Sequence, residues 1–168
     1  MKTLSSGKYR ILLGCLLLIM TLVWTAFIFL QSANNGETSS AASNKIVVTI
    51  TKVTKAVGIN ITDTGSLSHY IRKSAHFLEF GILGALIFLT VKVYKVKTFV
   101  FSIVPIGYSF VVASTDEYIQ RFSPGRSCQI SDVLIDVLGA SFFILVLLAI
   151  IFISQKRKAK ALSKNSVT

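Results

Sequence analysis

Four stretches of the chain have the length and apolar character of membrane-spanning helices, which need about 20 mainly apolar residues. They cover residues 11–30, 74–91, 98–114 and 132–153. The first contains no charged residue, whereas the second and third are shorter and include more polar positions. The pattern predicts an all-α membrane protein with four transmembrane helices.

Polar residues dominate the connection between the first two predicted spans, residues 31–71. Residues 31–44 are rich in Ser, Asn and Ala and predict a loop. Beyond them, apolar residues interleaved with lysines recur at helical spacing, at Ile46, Ile50, Val53 and Val57. This part predicts an additional amphipathic helix lying on the membrane surface.

The composition agrees with a membrane protein and excludes an ordinary soluble domain. Of the 168 residues, 52% are hydrophobic, and the mean hydropathy is +0.68, which is too apolar for a soluble domain of this size. We expect one membrane domain over residues 1–168, in which residues 154–168 form a basic cytoplasmic tail.

The distribution of charge predicts the orientation of the spans. The formal net charge is +11, and three segments without any acidic residue hold eleven of the 18 basic residues. These are Lys2, Lys8, Arg10, Lys92, Lys95, Lys97, Lys156, Arg157, Lys158, Lys160 and Lys164. Because cytoplasmic segments carry the Lys/Arg excess, both termini and the 92–97 connection are expected in the cytoplasm. The charge therefore requires no nucleic-acid partner.

Ionisable residues beside the second predicted span form one helical face. Arg72, His76 and Glu79 are spaced i, i+4 and i+7, with Lys73 next to them. Glu79 is about five residues inside the apolar run. An ionisable group in or beside hydrocarbon is expensive, so this face is a candidate functional site.

Acidic residues also flank the third and fourth predicted spans. Asp116 and Glu117 end the third, and Gln120 lies one turn beyond Asp116 if the helix continues. On the fourth, Asp132 and Asp136 are one turn apart; Asp132 can cap the helix, whereas Asp136 lies deeper. Gly139 shares their face and would let another helix approach closely, as would Gly81 and Gly84 on the second.

Together these groups predict one polar site at the outer membrane face. The candidates for acid–base chemistry are His76, Glu79, Glu117 and Asp136. The candidates for binding a charged ligand are Arg72, Lys73, Asp116, Gln120, Arg126 and Asp132. The alternative is a set of structural ion pairs that close a helix bundle. No cofactor or metal is expected; a metal site from His76, Glu79, Asp116 and Asp136, suited to Mg, Mn or Ca, is the weaker alternative.

Four motifs over about residues 11–150 resemble the VanZ-like family of bacterial membrane proteins. They read FIFLQS at 27–32, RKSAHFLEFGILG at 72–84, DEYIQRFSPGR at 116–126 and DVLIDVLG at 132–139. The family pattern matches Lys73, His76, Glu79, Glu117, Gln120, Arg126, Asp132, Asp136 and Gly139, and many members have Asn where Asp136 stands. The resemblance implies a multi-pass protein of the bacterial cell membrane, and the family's namesake is linked to low-level teicoplanin resistance.

Three functions remain open from the sequence, with the lipid bilayer as a partner in each. The first is an envelope factor that contributes to glycopeptide resistance by binding or altering a lipid-linked cell-wall precursor, or by binding the drug. The second is a membrane-embedded enzyme that uses the His/Glu/Asp/Arg cluster on a lipid-linked substrate. The third and least favoured is a small transporter subunit, for which a homo-oligomer could supply more helices.

Overall fold

The computed structural model describes residues 2–34, 36–94, 100–126 and 128–165, and these ranges form five helices without a strand. The helices are α1 (Lys2–Ala33), α2 (Gly36–Ala56), α3 (Thr64–Val93), α4 (Val100–Gln120) and α5 (Ile130–Asn165). The predicted all-α class is confirmed. The predicted connection at 92–97 lies partly outside the described residues, as does the end of the predicted tail.

Three of the described helices are long and apolar enough to cross a membrane: Gly7–Ala33, Thr64–Val93 and Ile130–Leu162. The expectation of four such helices is wrong among the described helices, because α4, which covers residues 100–114 of the predicted span 98–114, is not apolar enough over its length. The last turns of α4 contain Asp116, Glu117 and Gln120, which lower its apolar content.

The outer surfaces of α1 and α5 are covered by large apolar side chains. Leu12, Leu145 and Phe152 are each more than 60% exposed. In the most apolar 18-residue stretch of each helix, only 22% of α1 and 17% of α5 is buried inside the protein. Such continuous apolar surfaces on long helices are what contact with lipid requires.

Helices α1, α3, α4 and α5 pack around one core. Its buried members are Ile28, Phe80, Leu83, Ile87, Val112 and Ala113. Trp24 on α1 packs against this core, and its indole N–H donates a 2.9 Å hydrogen bond to the main-chain carbonyl of Glu79 on α3. This bond joins α1 to the polar segment of α3.

Small residues bring α3 and α5 together, as the sequence predicts for Gly139 and Gly84. A Cβ at residue 139 would overlap the Phe77 carbonyl oxygen, and a Cβ at residue 84 would lie 2.9 Å from the Cα of Ala140. The contact at Gly139 is with main chain, which no side-chain rotation can relieve. Residues 76–80 of α3 therefore lie directly beside residues 136–140 of α5.

Helix α2 confirms the predicted extra helix but corrects its limits. It begins at Gly36, so most of the predicted loop 31–44 is helical, and the helix packs on α3. The predicted apolar face is largely exposed, with Ile46 at 49% and Val53 at 61%, whereas Val47 is buried. The side of α2 that contacts the protein is thus centred on Val47, and the predicted apolar face is left free for another surface.

The remaining helices extend beyond their predicted ends. α3 begins ten residues before the predicted span because Asp63 caps it, accepting a 2.9 Å hydrogen bond from the Ser66 main-chain N–H. Hydrogen bonding from Ser66 lowers the pKa of Asp63, so the cap is ionised at neutral pH. α5 continues to Asn165, which makes most of the predicted tail helical.

Candidate functional site

The polar site lies where α3, α4 and α5 meet the end of α1. The last turn of α4 presents Asp116 and Gln120, and the second turn of α5 presents Asp136. His76 and Glu79 come from the part of α3 that the glycine contacts hold against α5. Asp116, Gln120 and Asp136 are buried, and His76 and Glu79 are half-buried.

Asp116 connects the ends of α1 and α4. Its Oδ1 accepts a hydrogen bond from the Ser32 hydroxyl, and its Oδ2 accepts one of 2.8 Å from the Gln120 amide. The Ser123 hydroxyl in turn donates to the Ser32 carbonyl at 2.8 Å. The helical continuation to Gln120, which the sequence left conditional, is confirmed, and Asp116 is held in place by neutral donors.

Asp136 is fully buried, and neither of its carboxylate oxygens has a hydrogen-bond partner. Its Oδ1 lies 3.6 Å from His76 Nδ1, which also lacks a hydrogen bond. One ligand-type atom from each of His76, Asp116 and Asp136 lies within 4.8 Å of the other two. Three helices therefore direct polar atoms at one small space.

Glu117 and the Lys73–Asp132 pair hold loops and helices together at the edge of the site. Glu117 Oε2 accepts a 2.8 Å hydrogen bond from the main-chain N–H of Gln129, just before α5 begins. Lys73 Nζ lies 3.1 Å from Asp132 Oδ1, and both side chains are partly exposed. The charges of Lys73 on α3 and Asp132 on α5 thus compensate each other.

A cavity of about 190 Å³ lies next to the buried acids, since Ser32 and His76, the neighbours of Asp116 and Asp136, line it. The predicted site residues that line it are Arg72, His76, Glu79 and Arg126. Within the described part of the chain, neither arginine forms an ion pair with a carboxylate within 4 Å. The site therefore differs from a bundle closed by tight Arg–carboxylate pairs.

Arg126 is a partly buried cation in the wall of this cavity. Its Nε is buried and has no hydrogen-bond partner. Burial lowers the pKa of Arg126, while the nearby Asp116 carboxylate opposes this effect. A guanidinium keeps its proton far above neutral pH, so Arg126 stays charged. The cavity wall thus carries a positive charge that pairs with no carboxylate within 4 Å in the described part of the chain.

Further residues from α1, α2 and the link between them line the cavity, although the sequence motifs did not indicate them as site residues. They are Ile28, Gln31, Ser32, Asn34, Ser43 and Ile46. For Ser32 a signal was available, because it ends the FIFLQS motif as a polar residue in the last turn of an otherwise apolar helix. For α2 no signal pointed to the site, since its contacts depend on how the helix packs.

Comparison with known proteins assigns the chain to a family. The VanZ/LLP1 family model matches residues 17–154, a range that contains every residue of the site described above. No curated protein and no solved structure matches the chain. Since the match covers most of the sequence, the protein belongs to the VanZ/LLP1 family.

Proposed function

We propose that this protein resides in the bacterial cell membrane and binds the phosphate-bearing head of a lipid-linked envelope component on the outer side. Through this binding it contributes to resistance against teicoplanin-type glycopeptides. The observation that carries the proposal is the cavity lined by both Arg72 and Arg126, neither of which pairs with a carboxylate within 4 Å in the described part of the chain. A guanidinium with free donors is the side chain best suited to bind phosphate.

The size and walls of the cavity favour a lipid head over the drug itself. At about 190 Å³ it is smaller than the roughly 300–1,000 Å³ pockets that enclose drug-sized ligands. A glycopeptide is far larger than such ligands. Ile28 and Ala75 add apolar wall beside the two arginines, as the junction of a charged head and an apolar chain requires.

The charge distribution supports the proposed outward orientation. With both termini and residues 92–97 on the cytoplasmic side, the N-terminal end of α3 and the loop around Arg126 face outward. This topology requires α4 to cross the membrane with the other helices. By composition, α1, α3 and α5 are the described helices that are apolar enough to cross a membrane. The polar residues Asp116, Glu117 and Gln120 of α4 are nevertheless buried inside the protein, so they would not contact lipid.

Replacing Arg126 by glutamine is expected to weaken phosphate binding by roughly 10- to 100-fold. Hydrogen bonds to a charged group contribute about 1.5–3 kcal/mol, and each 1.4 kcal/mol is tenfold in affinity. We would measure binding of a short polyprenyl phosphate to the purified protein by calorimetry, and teicoplanin resistance of a susceptible bacterium that expresses the variant.

Two controls make this experiment specific. Arg121→Gln changes an exposed arginine five residues earlier and should leave binding and resistance unchanged. The corresponding polyprenol, which lacks the phosphate, should bind the wild-type protein much more weakly. Equal binding of alcohol and phosphate, or equal loss in both variants, would contradict the proposal.

A membrane-embedded enzyme is the second candidate, because His76 and Glu79 line the same cavity one turn apart on α3. In that case Glu79→Gln, which preserves shape but cannot transfer a proton, should abolish resistance while polyprenyl phosphate still binds within about twofold. If binding alone confers resistance, Glu79→Gln should retain it. The level of each variant in the membrane must match that of the wild type.

A further inference from the structure

We propose that His76, Asp116 and Asp136 form a binding site for a divalent metal ion of the Mn²⁺ type. The three residues come from α3, α4 and α5; His76 also lines the cavity of the two arginines, whereas Asp116 and Asp136 do not. The inference does not rest on phosphate binding in that cavity, because it concerns other atoms.

The first argument is the state of Asp136. Its side chain is completely buried, yet neither carboxylate oxygen accepts a hydrogen bond. A buried, ionised carboxylate without partners costs several kcal/mol unless it takes up a proton or a cation compensates it. Both oxygens can bind a metal ion, and one of them is among the three atoms that converge within 4.8 Å.

The second argument is the distance between Asp136 and His76. A charge-assisted hydrogen bond between them would bring nitrogen and oxygen to about 2.7–2.9 Å, but Nδ1 and Oδ1 lie 3.6 Å apart and form none. Two ligands about 2.1–2.2 Å from a shared ion, at angles of about 90–110°, lie roughly 3.0–3.6 Å apart. The observed separation therefore leaves room for an ion to bridge the two atoms.

The third argument is the way Asp116 is held. Its carboxylate accepts hydrogen bonds from Ser32 and Gln120, and each carboxylate oxygen keeps a further lone pair for a metal. Carboxylates that bind metals are usually oriented by such hydrogen bonds. Asp116 therefore stands in the position of an oriented ligand.

The charge around the site favours a divalent ion over a proton on His76. The charged groups that act most strongly on Asp136 are the acids Asp116, Glu117, Asp132 and Glu79. Of these, Asp132 already pairs with Lys73. A protonated imidazole would add one positive charge, whereas a divalent ion adds two. Carboxylates suit Mg²⁺, Ca²⁺ and Mn²⁺, and imidazole suits first-row transition metals, so Mn²⁺ fits both kinds of ligand.

The test is a Mn²⁺ titration of the purified full-length protein in detergent after removal of metals with a chelator. Bound Mn²⁺ is followed by the loss of the free-ion signal in electron paramagnetic resonance. We expect one saturable site in the wild type and at least tenfold weaker binding in Asp136→Asn and His76→Gln. Asp63→Asn is the control: it replaces an exposed acid outside the site, at the start of α3, by a residue that also caps helices, and it should bind as the wild type does.

Thermal unfolding separates a metal ligand from a structural ion pair. If Asp136 is an uncompensated ligand, Asp136→Asn should unfold in chelator at the same or a higher temperature than the wild type. Added Mn²⁺ should then raise the unfolding temperature of the wild type only. The absence of saturable Mn²⁺ binding to the wild type, or equal binding to Asp136→Asn, would overturn the proposal. So would an Asp136→Asn protein that is less stable in chelator while neither protein responds to Mn²⁺.

Discussion

Replacing Gly139 by valine is expected to prevent folded protein from accumulating in the membrane. Any side chain at this position would overlap the Phe77 carbonyl, and its Cβ would lie 2.9–3.0 Å from the adjoining main-chain carbons. Overpacking between side chains costs about 1–3 kcal/mol. Here the added side chain would meet the main chain of α3, which cannot rotate away, so α3 and α5 must separate. Their separation would also pull His76 away from Asp136.

Gly107 on α4 provides the matched control. It is an exposed glycine inside a helix, and a Cβ there would meet no atom within 4 Å. Because glycine is the weaker helix former, Gly107→Val should be neutral or slightly stabilising. The two variants are compared by immunoblot of membrane fractions and by elution of the purified protein from a sizing column. Wild-type amounts of Gly139→Val would show that α3 and α5 do not approach as closely as described.

Replacing Phe80 by alanine is expected to lower the free energy of unfolding by about 3 kcal/mol. Phe80 is fully buried in the core between the helices, and losing a buried aromatic ring costs about 3–5 kcal/mol in water-soluble cores. Helices in lipid are held by van der Waals packing without water to exclude, which favours the lower end of that range. Unfolding by dodecyl sulfate in mixed micelles measures the loss.

The control for Phe80→Ala is Phe152→Ala on α5. Phe152 is 65% exposed on a surface assigned to lipid, so its ring is replaced by lipid chains and the change in unfolding free energy should stay below about 0.5 kcal/mol. A similar loss in both variants would mean that the α5 surface is packed against protein.

Since Phe80 follows Glu79 on α3, Phe80→Ala should also weaken ligand binding at the polar site.

The helices could be predicted from the sequence because each depends on local composition. The long apolar runs of α1 and α5 predicted helices in contact with lipid, and Gly139 and Gly84 were each expected to let another helix approach closely. The same local reasoning placed Arg72, His76 and Glu79 on one face of α3. These features are properties of single segments, which a sequence pattern records directly.

Features that depend on packing between segments were predicted less well. The contact face of α2 is centred on Val47 because α3 supplies a partner there, while the more regular apolar face remains exposed. The pairing of Lys73 with Asp132 depends on how α5 lies against α3. The contribution of Ser32 to the site depends on where α1 ends relative to α4, and neither helix encodes that position alone.

The hydrogen bonds of Ser32 also determine when the polar site can form during biosynthesis. Ser32 is 84 residues from its partner Asp116 and 91 residues from Ser123, and Asp136 comes later still. A nascent chain that has inserted α1 and α3 therefore carries His76 and Ser32 without most of the groups that surround them. Translation must pass residue 136 before the polar site is complete. A chain interrupted after α3 would therefore keep the apolar helices α1 and α3 and lack Asp116 and Asp136.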